Sequence, residues 1–246
     1  MSRIVAIIEA RMTSSRLPGK VLLHVCGKPM LELLIERVNR IPQVDEVVVA
    51  TTWNDSDDPV HALAKDIGVG CYRGSEHDVL GRVLGAAKTF SADYIVEITG
   101  DCPLLDPGLA EQCIDDFFRL QMDYGVVPAA NFPSGTAVQI FPVSILAEVD
   151  REFPDNPSAR EHVSLPIYSQ PERYKVYRMA AVSELNRPDL RFDLDTPEDF
   201  ELIKNIYEAL YKDKPDFRLK DILKLFESRP ELALINAEVE QKKVSL

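Results

Sequence analysis

Residues 3–20 read RIVAIIEARMTSSRLPGK, and two different chemistries meet in them. Ile4 to Ile8 is an unbroken apolar run, closed by Glu9 and Arg11. A run this short, ended by charge, reads as a buried β-strand over Arg3 to Ile8. It is too short for a membrane span or a signal-peptide core. The polar loop that follows holds Ala10, Thr13, Ser14, Ser15 and Gly19 together with three cations, Arg11, Arg16 and Lys20. Backbone N–H groups of a small-residue turn make an anion nest, and guanidinium and ammonium groups add charge to it. That combination suits a triphosphate. The spacing is not the G-x-x-x-x-G-K of a P-loop. The plainer alternative is a solvated basic loop with a Pro-Gly turn.

Outward from this stretch, strands and helices alternate. Met30 to Ile41 has Leu31, Leu34, Ile35, Val38 and Ile41 on one helical face, and Asp45 to Thr51 is a second strand. Val60 to Ile67 reads as a helix, Gly70 to Arg73 as a short strand and Glu76 to Phe90 as a helix. Ala92 to Thr99 is a strand that stops at Gly100. Asp106 and Pro107 then supply an N-cap and first turn for a helix that buries Leu109, Cys113, Ile114 and Phe117. Alternation of this kind predicts an α/β fold with a mainly parallel sheet covered on both faces. Ligands of such sheets collect at the carboxyl ends of strands, here after Ile8, Thr99 and Leu194.

From about Met122 the pattern changes to short strand-like pieces, Val138 to Phe141 and Tyr174 to Val182, among proline-rich turns. A small antiparallel or mixed lobe at about 122–183 is expected within a single 1–246 domain. Thr196-Pro197-Glu198-Asp199 opens a helix with a capping box, and a final helix runs near Leu219 to Glu227. The polar tail after Ala237 is expected to fray.

Composition narrows the function. The formal net charge of −12 argues against general nucleic-acid binding, which needs a basic surface. An acidic enzyme of a polyanionic substrate must gather positive charge locally and recruit a cation. The four cysteines are scattered without a C-x-x-C pair, as expected for a reduced cytoplasmic protein.

Two acidic motifs could hold that cation. In Thr99-Gly100-Asp101-Cys102-Pro103, Gly100 allows close backbone approach and Asp101 projects from a strand end, where a hard carboxylate ligand for Mg²⁺ belongs. Asp101 could equally cap a turn. In Arg191-Phe192-Asp193-Leu194-Asp195-Thr196, Thr196 can cap the helix, which leaves Asp195 free; Asp193 or Asp195 could instead complement the helix N-terminus. Together, two strand-end aspartates beside an anion nest make a cation site where a triphosphate would lie. Arg73-Gly74-Ser75-Glu76-His77-Asp78 could hold a ribose or base, or cap a helix. Arg160-Glu161-His162 could face an acceptor, or be a surface pair.

In this order the motifs A-R-M-T-S-S-R-L-P-G-K, A-T-T, R-G-S-E-x-D-V-L, I-T-G-D-C-P-L and D-x-D-T-P-E-D-F resemble the cytidylyltransferase family of spore-coat polysaccharide biosynthesis proteins. That family is related to the acylneuraminate and 3-deoxy-manno-octulosonate cytidylyltransferases. The resemblance runs to about Leu232 and implies a Rossmann-like nucleotide-diphospho-sugar transferase fold, a homodimer, and CMP transfer from CTP to a sugar or sugar-acid acceptor. It implies phosphate contacts from Arg11, Arg16 and Lys20, metal binding by Asp101 and Asp195, and a nucleotide site that takes in Ala10, Thr13, Ser14, Ser15, Arg73, Ser75, Thr99 and Gly100. Relatives commonly carry D-G-x-D-V-E facing the acceptor; here the stretch is Ser134-Gly135-Thr136-Ala137-Val138-Gln139. Gly135, Ala137 and Gln139, with Arg160 and His162, are therefore the expected acceptor contacts, in an altered form. Alternation puts 137 and 139 opposite Val138, and loss of two carboxylates there favours a smaller or more negatively charged acceptor. Rival readings are a GTP- or UTP-dependent sugar-1-phosphate nucleotidyltransferase, a non-catalytic nucleotide-sugar binder, or a glycosyltransferase whose D-x-D would be Asp193–Asp195.

Overall fold

Every residue from Ile4 to Ile8 is buried, which places this strand inside a sheet covered on both faces. Successive side chains diverge. Ile4, Ala6 and Ile8 enter one core, and Val5 and Ile7 enter the other. The computed structural model describes residues 2–136 and 138–240. Ala137 and the tail from 241 onward, on which two expectations fall, lie outside the described residues.

In chain order the first half comprises β1 (Ile4–Glu9), β2 (His24–Val25), β3 (Lys28–Pro29), α1 (Met30–Val38), β4 (Glu46–Thr52), α2 (Asp58–Asp66), β5 (Gly70–Gly74), α3 (Val79–Thr89), β6 (Tyr94–Thr99) and α4 (Pro107–Leu120). The second half comprises β7 (Tyr124–Val126), β8 (Gln139–Pro142), α5 (Val143–Glu152), α6 (Pro157–Glu161), α7 (Leu165–Tyr168), β9 (Val176–Arg178), α8 (Pro197–Leu210) and α9 (Leu219–Ser228). Seven strands form one sheet in the order β5-β4-β1-β6-β8-β7-β9, and β2 pairs with β3 in a separate small antiparallel sheet. β5, β4, β1 and β6 are mutually parallel, so their carboxyl ends share one edge. β8 is antiparallel to both β6 and β7. The mixed part of the fold is thus an extension of the main sheet. Helices α1, α4, α8 and α9 cover one face, and α3, α5 and α7 cover the other.

Local signals place the element ends. Asp106 caps α4 by accepting from the Gly108 and Leu109 N–H groups at 2.7 and 3.2 Å. Thr196 and Asp199 form the expected capping box of α8. The helix expected from Glu76 begins at Val79, because the Asp78 carboxylate accepts from the Gly81 N–H at 2.8 Å and fixes the first turn there. α1 stops at Val38 rather than Ile41 because the N–H groups of Arg40 and Ile41 turn back three residues, to Arg37 and Val38. Of Tyr174 to Val182 only Val176–Arg178 is strand, and α5 to α7 are helices the sequence reading did not separate from turns.

Candidate active site

The loop after β1 is anchored before it reaches any ligand. The Met12 N–H donates to Asp57 at 2.7 Å, and the Gly19 N–H donates to the Met12 carbonyl at 2.9 Å. Gly19 has φ +72, a left-handed conformation that suits glycine, and it turns the chain into the short 3₁₀ helix Lys20–Leu22. Lys20 is thereby carried inward and is only 9 % exposed.

Two carboxylates meet it, Asp101 from the turn after β6 and Asp195 from the segment before α8, which forms no strand. Lys20 Nζ donates to Asp101 Oδ2 at 3.0 Å and to Asp195 Oδ1 at 2.8 Å. Arg16 Nη2 lies 2.6 Å from Asp195 Oδ2. Asp101 and Asp195 are brought together because the Leu194 N–H donates to the Asp101 carbonyl at 2.8 Å, which ties the 191–195 segment to the turn after β6. Burial alone would pull Lys20 down, but the Asp101 and Asp195 charges outweigh it and hold the ammonium above its ordinary pKa. Burial would likewise raise Asp195, but Lys20, Arg16 and Arg191 hold it below the usual carboxylate range. Asp193 behaves oppositely. Burial first, and then the Asp101 charge, push it up to about 6.

Arg191 organises the second motif, a role the sequence reading did not assign. Its guanidinium donates to Asp195 at 2.8 Å, to Asp193 at 3.2 Å and to Asp199 at 3.0 Å. Asp199, fully buried, also accepts from the Asp195 and Thr196 N–H groups at 3.0 Å and from Asn236 at 2.8 Å. The cap expectation therefore holds: Asp199 and Thr196 serve the helix, while the Asp195 side chain is left to face cations.

These groups open onto a cleft of about 400 Å³. Arg11, Arg16, Lys20, Asp101 and Asp195 line it, with Ala10, Ser14, Ser15, Thr99 and Gly100. His162 lines it as well. Glu9, Val79, Arg82, Glu161 and Asp193 also line it and were not anticipated. Glu9, Glu161 and Asp193 stood inside quoted stretches without an assigned role, but nothing local marked Arg82.

Several expected contacts have other partners. Thr13 donates to Glu76, which also accepts from Asn54 at 2.6 Å. Arg73 donates to the Thr52 and Asn54 carbonyls at 2.7 and 2.8 Å and pairs with Asp58, so it fastens the ends of β4 and β5. The Ser75 carbonyl accepts from Arg82. A Cβ on Gly100 would stand 2.6 Å from the Glu9 carbonyl; its bareness lets the turn approach β1 rather than a ligand. Gly135, with φ +78, lies against the Phe192–Asp193 backbone, where a Cβ would be 2.3 Å from the Phe192 carbonyl carbon. It positions Asp193 rather than facing the cleft. Gln139 is likewise turned inward: its carboxamide oxygen accepts from the Tyr124 and Ser164 hydroxyls.

Arg160 does not line the cleft either. Its guanidinium grips Asp78 through Nε and Nη2, at 2.7 and 2.5 Å, and Asp150 through Nη1 at 2.7 Å, clamping α6 to the N-terminus of α3 and to α5. Arg160→Ala should lower unfolding stability by about 1–3 kcal/mol, since partly buried charged bonds are lost. A shift of the urea midpoint reads this out. An unchanged midpoint would mean the clamp contributes nothing net.

Against this geometry, the family model for cytidylyltransferases matches residues 5–225. The chain is 32% identical over 237 residues to the spore coat polysaccharide biosynthesis protein SpsF of Bacillus subtilis, covering 95% of this chain and 98% of that protein. A cytidylyltransferase structure from Leptospira borgpetersenii is similar along 99% of this chain and 100% of its own, with TM-score 0.89 and 29% identity. A CMP:2-keto-3-deoxy-manno-octonic acid synthetase complexed with CTP shares the fold at TM-score 0.62 and 20% identity, over 85% of this chain and 99% of that one.

Proposed function

Because the chain belongs to the cytidylyltransferase family, we propose that it transfers CMP from CTP to a sugar or sugar-acid acceptor, releasing pyrophosphate, in surface polysaccharide or glycoconjugate synthesis. The observation that carries this reading is the Lys20 ammonium, held at 2.8 and 3.0 Å by one carboxylate from the turn after β6 and one from the segment before α8, at the mouth of a basic loop. A cation sits between Asp101 and Asp195, and Arg11 and Arg16 line the same cleft.

The same observation tests the fit of a divalent ion. Asp101 and Asp195 converge on one positive centre, which suits Mg²⁺ held by one or two carboxylates and completed by substrate phosphates. Among the described residues no ready-made group of three or more acidic, His or Cys ligands is present. When bound, the ion would neutralise charge on the α-phosphate and polarise it. The chain's own part is positioning. Arg11, Arg16 and Lys20 would move from carboxylate to phosphate oxygens, and Lys20 and Arg16 would stabilise the departing pyrophosphate. Arg191 would stay on Asp195 and keep its carboxylate oriented once the other two cations have left. An acceptor oxygen then attacks the α-phosphorus in line, and preorganised charge and alignment lower the barrier without a covalent enzyme intermediate.

The proposal includes action in the cytoplasm as a homodimer of 27.7 kDa chains. CTP should support pyrophosphate release in preference to GTP, UTP and ATP, and EDTA should stop it. A preference for GTP or UTP would move the chain to the sugar-1-phosphate nucleotidyltransferases and leave the reaction class standing. A non-catalytic role is disfavoured because Lys20, Asp101 and Asp195 are all present and brought into mutual contact.

A further inference from the structure

Once Lys20 and Arg16 turn to phosphate, Asp195 keeps Arg191, and Arg191 is itself held from a distant part of the chain. Asn236 is 5 % exposed. Its Nδ2 donates to Asp199 Oδ1 at 2.8 Å and to the Arg191 carbonyl at 3.0 Å. Both partners can only accept, so the amide nitrogen is the atom that must face them. No motif marked this residue, and it lies beyond the residues 5–225 that match the family.

Packing brings Asn236 to that place. After α9 the chain enters the short 3₁₀ helix Pro230–Leu234, which lies against α8 and α9. Leu232 is buried in the core there, and the Ile235 N–H donates to the Leu232 carbonyl at 3.2 Å. On the other side, the Val239 N–H donates to the Asn236 carbonyl at 3.0 Å. The backbone is thus pinned before and after the amide.

A chain of bonds runs from this amide to the carboxylate of the candidate metal site. Asp199 Oδ1, which Asn236 touches, also accepts from Arg191 Nε at 3.0 Å. Asp199 Oδ2 accepts from the Asp195 N–H at 3.0 Å, and Arg191 Nη2 donates to Asp195 Oδ2 at 2.8 Å. Asp195 is therefore fixed at its backbone and at its side chain by two groups that Asn236 ties together. With Arg191 on Oδ2, the other oxygen, Oδ1, is left for a cation, and Lys20 now occupies it. The chemistry of the amide suits this task. A cation at 236 would compete with Arg191 for the buried Asp199. A neutral amide adds donors without charge and leaves the Arg191–Asp199 pair intact. Outer partners of this kind orient a metal-binding carboxylate before the ion arrives.

We propose that Asn236 is a positioning residue for the Asp195 carboxylate, acting through Arg191 and Asp199, and that the C-terminal segment which carries it is part of the active-site scaffold. This rests on the cytidylyl-transfer reading. The test needs no acceptor: calorimetry measures CTP affinity in excess Mg²⁺ and again in EDTA. Asn236→Ala removes both bonds and should lower the affinity in Mg²⁺ by about 10-fold, the low end for loss of an outer partner of a metal ligand, while the affinity in EDTA stays within about 2-fold. Asn236→Gln keeps the amide on a longer arm and should lose less. Leu232→Val loosens the packing of the same segment without touching the amide. It should lower the melting temperature of the free protein and leave the Mg²⁺-to-EDTA affinity ratio within about 2-fold of wild type. An unchanged ratio in Asn236→Ala, an equal loss in Mg²⁺ and in EDTA, or the same change in Leu232→Val overturns the proposal and leaves cytidylyl transfer standing. Failure of both Asn236 variants to fold would assign the amide to folding and overturn it as well. A wild-type protein that does not bind CTP would instead remove the transfer reading, and this inference with it.

Discussion

Asp101→Asn and Asp195→Asn are each expected to lower kcat/KM by on the order of 1,000-fold, the upper range for loss of one preorganised charge at a reacting centre. Each substitution keeps the size of the side chain and removes half of the paired negative charge that holds Lys20 at 3.0 and 2.8 Å. If the two carboxylates serve one cation, removing the first already disables the site. The double variant should then be little worse than either single one, so the losses fall far short of additive. Raising the Mg²⁺ concentration should recover part of the Asp101→Asn loss. Recovery should be smaller for Asp195→Asn, because Asp195 also receives Arg16 and Arg191, and its change releases two guanidinium groups into the cleft. Two mild effects that multiply cleanly would show that these aspartates are turn and helix caps and nothing more.

Lys20→Ala should reduce kcat/KM by on the order of 100-fold or more, about 2.7 kcal/mol of transition-state stabilisation, because a charge aimed at the leaving pyrophosphate is lost. The sequence alone suggests a loop lysine with little packing, whose removal leaves the fold untouched. The structure corrects this: Lys20 is 9 % exposed and bridges two carboxylates that stand close to each other. Its loss should therefore also lower stability by about 1–3 kcal/mol in the free protein. Asp195 keeps Arg16 and Arg191, which limits the damage. CTP with Mg²⁺ should restore much of the lost thermal stability, since the ion can replace the ammonium between the carboxylates. Unchanged kcat/KM together with unchanged melting would take Lys20 out of both roles.

The sequence by itself determined what depends on neighbouring residues. The apolar run Ile4–Ile8 specified a doubly covered strand, and the helical periods and caps at Asp106 and Thr196 specified an α/β alternation. The cations of 11–20 and the aspartates at 101 and 195 were legible because each sits within a few residues of the strand end or helix cap that presents it. Motif order was enough to reach the family. Tertiary structure alone decided which of the remaining polar residues share a space. Arg73 and Arg160 read as ligand contacts from their motifs, yet their guanidiniums meet carbonyls and carboxylates of other elements. Arg191 acquires its role only where Asp193, Asp195 and Asp199 surround it. Glu97 gives no local signal; it comes to share a face with Glu9 because β1 and β6 pair in parallel at one register. A one-residue slip would turn their side chains to the opposite face. Lys20 finds partners 81 and 175 residues away, and only the folded sheet can bring those three charges within 3 Å.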